Sequence, residues 1–260
     1  MRINITYGVS TNFWLDRCRL SAFSILFNAK ENEEYHFYII SEEICEEEKE
    51  KFYKLNTVKK SNFHFLVANP KDFEGAVHDY LGISASYRLK LPSMTDIDKV
   101  LYLDSDTLVV QNITELYKHN IEDYYLAAVE DKCNSMMLCR IKGLQNIFFN
   151  SGVMLMNLKA FRKDNIEEKI FEKLRKNSEY TDQDVINDIC RYKILSLPLK
   201  YNIVPTKGIL GDDSIYHTRR EEYFNAVAEP VIIHPPFYNE FDNIIILNRI
   251  YNENYEKIMR

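Results

Sequence analysis

The stretch Lys99-Val-Leu-Tyr-Leu-Asp-Ser-Asp-Thr-Leu-Val-Val110 is the most informative part of this 260-residue chain. Its residues 100–103 form a short, wholly apolar run, which is typical of a strand buried on both faces of a sheet. Asp104 and Asp106 follow at once, separated by Ser105. In open α/β sheets, ligands bind in the crevice beyond the carboxyl ends of the strands, so we expect the two carboxylates to face a ligand there.

Two chemical interpretations of this Asp-Ser-Asp segment remain open at this point. Neighbouring carboxylates repel each other unless a cation lies between them, and Mg²⁺ or Mn²⁺ prefers oxygen ligands that it shares with phosphates. The segment can equally be a polar turn in which each aspartate caps nearby backbone amides. The surrounding sequence has to discriminate between the two.

Strands and helices alternate along the chain, which predicts one α/β domain over residues 1–260 with a mostly parallel central sheet. The expected strands are Ile3–Tyr7, His36–Ile40, Phe63–Ala68, Val100–Leu103, Tyr125–Val129, Phe149–Leu158 and Ile194–Leu197, with a last apolar run at Val231–His234. The expected helices include Trp14–Asn28, Gln111–Lys118 and Asp164–Lys176.

Three further helix boundaries follow from capping residues and proline. Ser41 is expected to cap an acidic-to-basic helix, and Pro92 is expected to end a short helix that starts near Ser84. Thr181 or Asp182 is expected to cap a helix that begins at Thr181-Asp-Gln-Asp.

Composition excludes several classes of protein. The formal net charge is −6 and no dense basic cluster is present, so nucleic-acid binding is not expected. No apolar run approaches the ~20 residues that span a bilayer, and the amino terminus lacks the apolar core of a signal peptide. The five cysteines are scattered and odd in number, which favours reduced thiols and a cytoplasmic location.

Other polar segments can line the same crevice, and each also has an ordinary structural explanation. Residues 8–13 form a polar loop after the first strand, and Asn150-Ser-Gly152 lets backbone approach a ligand closely. Arg88 can pair with a carboxylate or form a surface salt bridge. Asp182 and Gln183 can project from a helix start or merely cap it, and His234 is either a ligand or a structural residue.

Phosphate-binding loops rich in glycine are absent. The seven glycines form neither a Gly-x-Gly-x-x-Gly pattern nor a P-loop, and no Gly-x-Ser-x-Gly elbow occurs. Any phosphate binding therefore has to depend on a metal ion.

Taken in order, these motifs resemble the family 8 glycosyltransferases, the group that includes glycogenin and bacterial lipopolysaccharide galactosyl- and glucosyltransferases. The resemblance is carried by motifs spread over nearly the whole chain: residues 7–13, 86–92, 98–106, 127–131, 149–159, 182–187, 197–202 and 232–234. No single motif is specific for this family, but the order in which all of them occur is.

The resemblance implies a GT-A fold, in which about residues 1–110 bind a nucleotide-sugar and about residues 111–260 bind sugar and acceptor. It implies Mn²⁺-dependent (or Mg²⁺-dependent) transfer of a hexose from a UDP-sugar, UDP-glucose or UDP-galactose, to a glycan or glycolipid, with retention at the anomeric carbon.

The resemblance also implies roles for individual residues. Asp104, Asp106 and His234 would hold the metal. The nucleoside and diphosphate would lie against Gly8, Ser10, Asn12, Phe13, Arg88, Ser105, Asn150 and Ser151. Asp131, Asp182 and Gln183 would act at the sugar, and both a covalent intermediate and front-face attack are compatible with these residues.

Two departures from the family pattern bear on activity. Ser10 stands where relatives usually carry an acid that accepts a hydrogen bond from uracil. Pro235-Pro-Phe-Tyr-Asn-Glu240 follows His234 where a Gly-containing loop with Lys-Pro-Trp is usual. Arg219, Arg220 or Arg249 is a candidate replacement for that lysine.

The main hypothesis is therefore an active hexosyltransferase. The departures motivate an alternative, a catalytically weak nucleotide-sugar-binding protein of the same fold that acts by interaction. Paired acids also suit a metal-dependent nucleotidyl or phosphoryl transferase, a third hypothesis.

Overall fold

The computed structural model describes residues 1–76, 83–131, 147–177, 179–204, 219–234 and 253–259. The strands are β1 (Arg2–Gly8), β2 (Glu34–Ser41), β3 (Ser61–Val67), β4 (Lys99–Leu103), β5 (Leu108–Val109), β6 (Leu126–Glu130), β7 (Phe149–Asn157), β8 (Ile194–Ser196) and β9 (Ile232–Ile233).

The α-helices are α1 (Asn12–Phe27), α2 (Glu46–Tyr53), α3 (Leu91–Met94), α4 (Thr114–Lys118), α5 (Leu158–Lys163), α6 (Ile166–Lys176), α7 (Asp182–Cys190), α8 (Arg220–Ala228) and α9 (253–259). Four 3₁₀ segments cover Lys54–Thr57, Pro70–Phe73, Ile83–Lys90 and Leu199–Tyr201.

Seven strands form the central sheet in the order β3-β2-β1-β4-β7-β6-β8. All neighbouring pairs are parallel except those of β7, which runs antiparallel to both β4 and β6. The predicted mostly parallel α/β sheet is therefore confirmed. The reversed β7 places its amino end beside the carboxyl ends of β4 and β6.

Both faces of β4 are buried, which explains its unbroken apolar sequence. Leu101 and Leu103 pack into the core on the α1 side of the sheet, whereas Val100 and Tyr102 pack into the core on the α6 and α7 side. Burying one such aliphatic side chain stabilises the fold by about 1.5–3 kcal/mol relative to exposing it. The strand that carries Asp104 is thus held from both sides.

A separate two-stranded sheet lies next to the metal-ligand candidates. β5 and β9 pair antiparallel, with Leu108 opposite Ile233 and Val109 opposite Ile232. The predicted apolar run at the chain's last strand therefore belongs to this small sheet and not to the central one. Its pairing brings residues just after Asp106 next to the residue just before His234.

Several predicted boundaries were wrong for local reasons. Ser41 does not cap a helix: it ends β2 opposite Val67, and α2 starts five residues later. Pro92 does not end a helix but lies in the first turn of α3, where its missing N–H is not needed. The helix expected from Gln111 begins at Thr114.

The start of α7 confirms the predicted cap. The side chain of Thr181 accepts a hydrogen bond from the backbone N of Asp184, and the carboxylate of Asp184 accepts from the backbone N of Thr181, which is a capping box. α7 therefore begins at Asp182, with Gln183 in its first turn. Among the described residues, no helix is long and apolar enough to cross a membrane.

Candidate functional site

Asp104, Asp106 and His234 come together at one edge of the sheet. The two aspartates follow β4, and His234 follows β9. One ligand atom from each residue lies within 4.8 Å of the others, and all three residues are half-buried. The Nε2 atom of His234 is 3.5 Å from Oδ1 of Asp106 and 3.8 Å from Oδ2 of Asp104.

The two carboxylate oxygens of Asp104 have different surroundings. Oδ1 accepts hydrogen bonds from the hydroxyl of Tyr102 at 2.7 Å and from Nη1 of Arg88 at 3.2 Å. Oδ2 is the oxygen that faces His234. The protein therefore fixes the carboxylate through one oxygen and presents the other to the centre of the triad.

The imidazole of His234 is oriented by Asn202. Nδ1 donates to Oδ1 of Asn202 at 3.1 Å, since an amide oxygen only accepts. In the neutral ring this leaves the Nε2 lone pair directed at the carboxylates, as in metal sites where a second hydrogen bond fixes the tautomer. Burial lowers the pKa of His234, but the carboxylates of Asp106 and Asp104 outweigh burial and raise it.

Gly152 is required by the closeness of the triad. A Cβ at this position would lie 2.2 Å from Cε1 of His234 and 2.7 Å from Oδ2 of Asp104. Its backbone oxygen accepts from the backbone N of Asp104 at 2.7 Å. The amino end of β7 thus forms a wall of the site that only glycine fits.

Arg88 is buried and contacts two further groups of the site besides Asp104. Its Nε donates to Oδ2 of Asp182 at 2.7 Å, its Nη2 forms an ion pair with the same oxygen, and its Nη1 donates to the backbone oxygen of Ser151 at 2.7 Å. Burial raises the pKa of Asp182, and the charge of Arg88 partly offsets this. Of the alternatives for Arg88, the structure shows a buried pair with a carboxylate and not a surface salt bridge.

Gln183 and Asn187 attach α7 to the start of β7. Oε1 of Gln183 accepts from both the backbone N and the hydroxyl of Ser151, each at 2.9 Å. Asn187 bonds both backbone groups of Phe149, at 2.7 and 2.9 Å. The first turn of α7 is therefore fixed against the strand that carries Asn150 and Ser151.

The remaining predicted residues lie along the same edge. Ser10, Asn12 and Phe13 are exposed at the end of β1, and the guanidinium of Arg17 lies 5.4 Å from the ring centre of Phe13. Gly8 is needed by the fold, since a Cβ there would lie 2.4 Å from the backbone oxygen of Ser84.

Ser105, Asn150 and Asp131 complete the set. Ser105 is buried between the two aspartates. Oδ1 of Asn150 accepts from the backbone N of Gly152 and from Nδ2 of Asn202, at 2.9 and 2.8 Å. Asp131 follows β6, and its backbone N donates to the backbone oxygen of Phe148 at 2.7 Å.

Three residues next to the metal-ligand candidates were not named as site residues from the sequence: Tyr102, Asn202 and Gly152, although the segment with Gly152 was expected to let backbone approach a ligand. Tyr102 precedes Asp104 by two positions, so strand periodicity places the two side chains on one face. Gly152 and Asn202 lay within the family motifs. Their contacts with His234 depend on long-range packing that no local pattern reveals.

The arginines considered as replacements for the family lysine have other partners. Arg219 forms ion pairs with Glu222 at 2.6 Å and with Glu130 at 3.3 Å, and the guanidinium of Arg220 lies 5.6 Å from the ring centre of Phe224. Residues 235–240 and Arg249 lie outside the described residues.

Comparison with known proteins identifies the family to which this chain belongs. The family model described as glycosyl transferase family 8 matches residues 4–237. A putative glycosyltransferase of Haemophilus influenzae is 30% identical over 214 residues, which cover 78% of this chain and 64% of that protein. Lipopolysaccharide 1,2-glucosyltransferase of Escherichia coli is 28% identical over 231 residues, covering 83% of this chain and 67% of that protein.

The chain thus spans about two thirds of the length of these two relatives. Among solved structures, the galactosyltransferase LgtC in complex with donor and acceptor sugar analogues is similar in fold. Its TM-score is 0.75 at 24% identity, over 92% of this chain and 88% of that one. The sheet and helices described above are accordingly those of a GT-A glycosyltransferase, and the chain belongs to glycosyl transferase family 8.

Proposed function

We propose that this chain is a metal-dependent, retaining hexosyltransferase that moves a hexose from a UDP-sugar, UDP-glucose or UDP-galactose, to a glycan or glycolipid acceptor. The observation that carries the proposal is the convergence of Asp104, Asp106 and His234, with ligand atoms within 4.8 Å of one another. The names of the relatives, which include a lipopolysaccharide glucosyltransferase, support the acceptor class.

The donor atoms of the triad fit Mn²⁺ or Mg²⁺. Two carboxylates and one imidazole supply the oxygen and nitrogen ligands that Mn²⁺ accepts. The space in front of Gly152, which a Cβ would fill, lets the three side chains converge. A divalent cation held there would offset the negative charge that develops on the departing diphosphate.

Arg88 and the first turn of α7 would position the sugar. Oδ2 of Asp182 takes two Arg88 donors, and Oε1 of Gln183 takes two donors from Ser151. Gln183 carries a neutral amide oxygen that already accepts two hydrogen bonds, and the carboxylate of Asp182 is held in a buried ion pair with Arg88, so both groups are weak nucleophiles. We therefore favour attack by the acceptor hydroxyl on the face that the diphosphate leaves.

The exposed residues at the end of β1 would bind the nucleoside. Phe13 has 48% of its surface exposed and offers an apolar face for a base, while Ser10 and Asn12 offer hydrogen-bonding groups. We also infer a cytoplasmic location, since the thiols of Cys18 and Cys190 are buried and free.

The test is an activity assay with Mn²⁺ and a panel of UDP-, GDP- and TDP-sugars, in which release of nucleoside diphosphate is followed with and without candidate acceptors. We expect turnover with one UDP-hexose, abolished by EDTA. The substitution Asp104→Asn should lower turnover on the order of 100-fold or more, as for loss of one electrostatic group at a transition state. Asp96→Asn, an exposed carboxylate just before the same strand, is the matched control and should retain activity.

Other outcomes would point to the alternative functions. Tight binding of a UDP-sugar without turnover, even with acceptors, would identify a nucleotide-sugar-binding protein that acts by interaction. Release of pyrophosphate from a nucleoside triphosphate and a sugar phosphate would identify a nucleotidyltransferase. Turnover that persists in EDTA and in the Asp104→Asn variant would contradict metal dependence.

A further inference from the structure

A row of polar side chains lies on the buried face of α1 and contacts the segment that carries Asp106. This row, called here the α1 polar row, consists of Ser21, Ser24 and Asn28, spaced so that all three lie on one face of the helix. Ser21 and Ser24 have 1% and 0% of their surface exposed. Buried polar groups are costly unless they are hydrogen-bonded, so their partners indicate what the row does.

Some hydrogen bonds of the α1 polar row lie within the helix itself and are common in helices. The hydroxyl of Ser24 donates to the backbone oxygen of Ser21 at 2.7 Å, and Nδ2 of Asn28 donates to that of Ser24 at 2.8 Å. Serine commonly bonds in this way to the preceding helical turn. These bonds alone would not give the row a role outside α1.

The remaining bonds cross to β5. The backbone N of Val109 donates to the Ser24 hydroxyl at 2.9 Å, and the backbone oxygen of Val109 accepts from Nδ2 of Asn28 at 3.1 Å. The opposite edge of β5 pairs with β9. Beside that pairing, the backbone N of Val110 donates to the backbone oxygen of Val231 at 2.9 Å. The α1 polar row therefore bonds the edge of β5 that does not pair with β9.

A second connection runs from the row to the turn between the aspartates. The Ser21 hydroxyl lies 2.9 Å from the hydroxyl of Tyr7 and 3.2 Å from that of Thr107. The hydroxyl of Thr107, which is fully buried, donates to the backbone oxygen of Asp104 at 2.8 Å. Helix, first strand and Asp-Ser-Asp turn are thus joined by one buried chain of hydroxyl groups.

These two connections hold both segments that carry the triad, the turn with the two aspartates and the β5–β9 pair that precedes His234. The chain of hydroxyls holds the turn from Asp104 to Thr107, and the bonds to Val109 hold β5. β5 in turn holds β9 in register, and His234 follows β9 directly. A shift of β5 along α1 would leave the backbone groups of Val109 unpaired and would change the distance between Asp106 and His234.

We propose that Ser21, Ser24 and Asn28, together with Thr107, are positioning residues for the metal centre. They set the spacing of Asp106 and His234 without touching the ion. This inference rests on the proposed function in one respect, namely that the triad binds a divalent cation.

The test measures Mn²⁺ affinity directly, from the electron paramagnetic resonance signal of free Mn²⁺ during titration of the purified chain. In Ser24→Ala the backbone N of Val109 loses its partner, and we expect the dissociation constant to rise by up to about ten-fold, the lower end of the effect of removing a direct hydrogen-bond partner of a metal ligand. Thr107→Val should show a similar rise. Thr107→Ser, which keeps the hydroxyl, should restore affinity close to that of the unmodified chain.

Two further variants separate positioning from general loss of stability. Ile25→Val removes one methylene from a buried neighbour on α1 that makes no side-chain hydrogen bond, and it should bind Mn²⁺ normally. Asn28→Ala lies at the half-buried end of the helix, where substitution is least disruptive, and it should weaken Mn²⁺ binding. Circular dichroism establishes that each variant is folded at the temperature of the titration.

The possible results distinguish the two proposals. Folded Ser24→Ala, Asn28→Ala and Thr107→Val variants that bind Mn²⁺ as tightly as the unmodified chain would overturn the positioning role alone. An equal loss of affinity in Ile25→Val would also overturn it. If the unmodified chain binds no divalent cation, the metal site itself is refuted and the positioning role with it.

Discussion

At the level of single residues, the tightest constraint in the site is Gly152. A methyl group there would overlap the ring of His234, since the Cβ would lie 2.2 Å from Cε1. We predict that Gly152→Ala displaces His234, weakens Mn²⁺ binding on the order of 10- to 100-fold and costs about 1–3 kcal/mol of stability. Titration with Mn²⁺ and denaturant unfolding measure the two effects.

Gly75 supplies the matched control for that substitution. Its φ is +71° and a Cβ would meet nothing within 4 Å, so Gly75→Ala strains only the backbone. It should lower stability by about 1–2 kcal/mol and leave Mn²⁺ affinity unchanged. Unaltered Mn²⁺ affinity in Gly152→Ala would show that His234 does not ligate the ion.

The stability of the fold also depends on the buried ion pair between Arg88 and Asp182. Both side chains are 4% exposed, so removing the cation leaves a buried carboxylate uncompensated. We predict that Arg88→Met costs about 3–5 kcal/mol of the free energy of unfolding. The double variant Arg88→Met/Asp182→Asn should recover part of this loss in urea unfolding, because the buried charge is gone. An equal loss in both variants would contradict the ion-pair explanation.

At the level of secondary structure elements, β2 and β3 are joined by a pair of histidines that makes stability pH-dependent. Nδ1 of His36 lies 3.2 Å from Nε2 of His64, so one ring nitrogen has to donate and the other accept. Burial lowers the pKa of His64, and the neighbouring His36 and Arg2 lower it further. Protonation of His64 would bring a positive charge into a partly buried site close to Arg2, which costs free energy in the folded chain.

The sign of the pH effect follows from this direction. The unfolded chain binds a proton at His64 more readily than the folded chain, so stability is full above the ordinary histidine value of 6.5 and decreases as the pH falls below it. Denaturant unfolding at pH 7.5 and pH 5.5 measures the decrease. His64→Asn should reduce it, and an unchanged pH dependence would exclude His64 as its source.

How well each element was predicted depends on the range of the interactions that form it. β1, β4 and β7 were recognised within about two residues, because each contains closely spaced apolar residues next to polar ones. The cap of α7 at Thr181 was recognised because capping is local. Ser41 was misassigned since its pairing with Val67 in β3 competes with capping, and the antiparallel direction of β7 has no signature in its own sequence.

At the level of the whole molecule, Arg19 connects both terminal regions of the described fold. Its guanidinium pairs with Glu48 of α2 and with Asp16, and it hydrogen-bonds the hydroxyl of Tyr255 in α9. The ring of Tyr255 also packs 5.7 Å from that of Phe23. We predict that Tyr255→Phe costs about 1 kcal/mol, the value of one hydrogen bond.

Tyr255→Ala also removes the ring contact and should cost about 2–3 kcal/mol, measured by calorimetry alongside Tyr255→Phe. The difference between the two variants reports how firmly the α9 ring is packed on α1. Equal, negligible losses in both variants would show that α9 does not contribute to the stability of the sheet.

The sequence predicted that the residues of the candidate site lie near one another, but it did not predict the contacts between them. Asp104 and Asp106 were placed from strand position, whereas His234 and most other members came from the resemblance to family 8. Arg88 was expected beside a carboxylate, yet its triple contact with Asp104, Ser151 and Asp182 joins segments far apart in sequence. Such contacts arise from the packing of the whole sheet, so no window of sequence contains them.

The pairing of β5 with β9 has a consequence for how the chain is made. Asp106 and His234 are separated by about 130 residues, so bringing them together closes a long loop at a cost in chain entropy. A ribosome has already released the whole central sheet before His234 emerges. The three ligand candidates can therefore meet only after all strands of the central sheet have been synthesised, and cation binding at the proposed site would report that the sheet is complete.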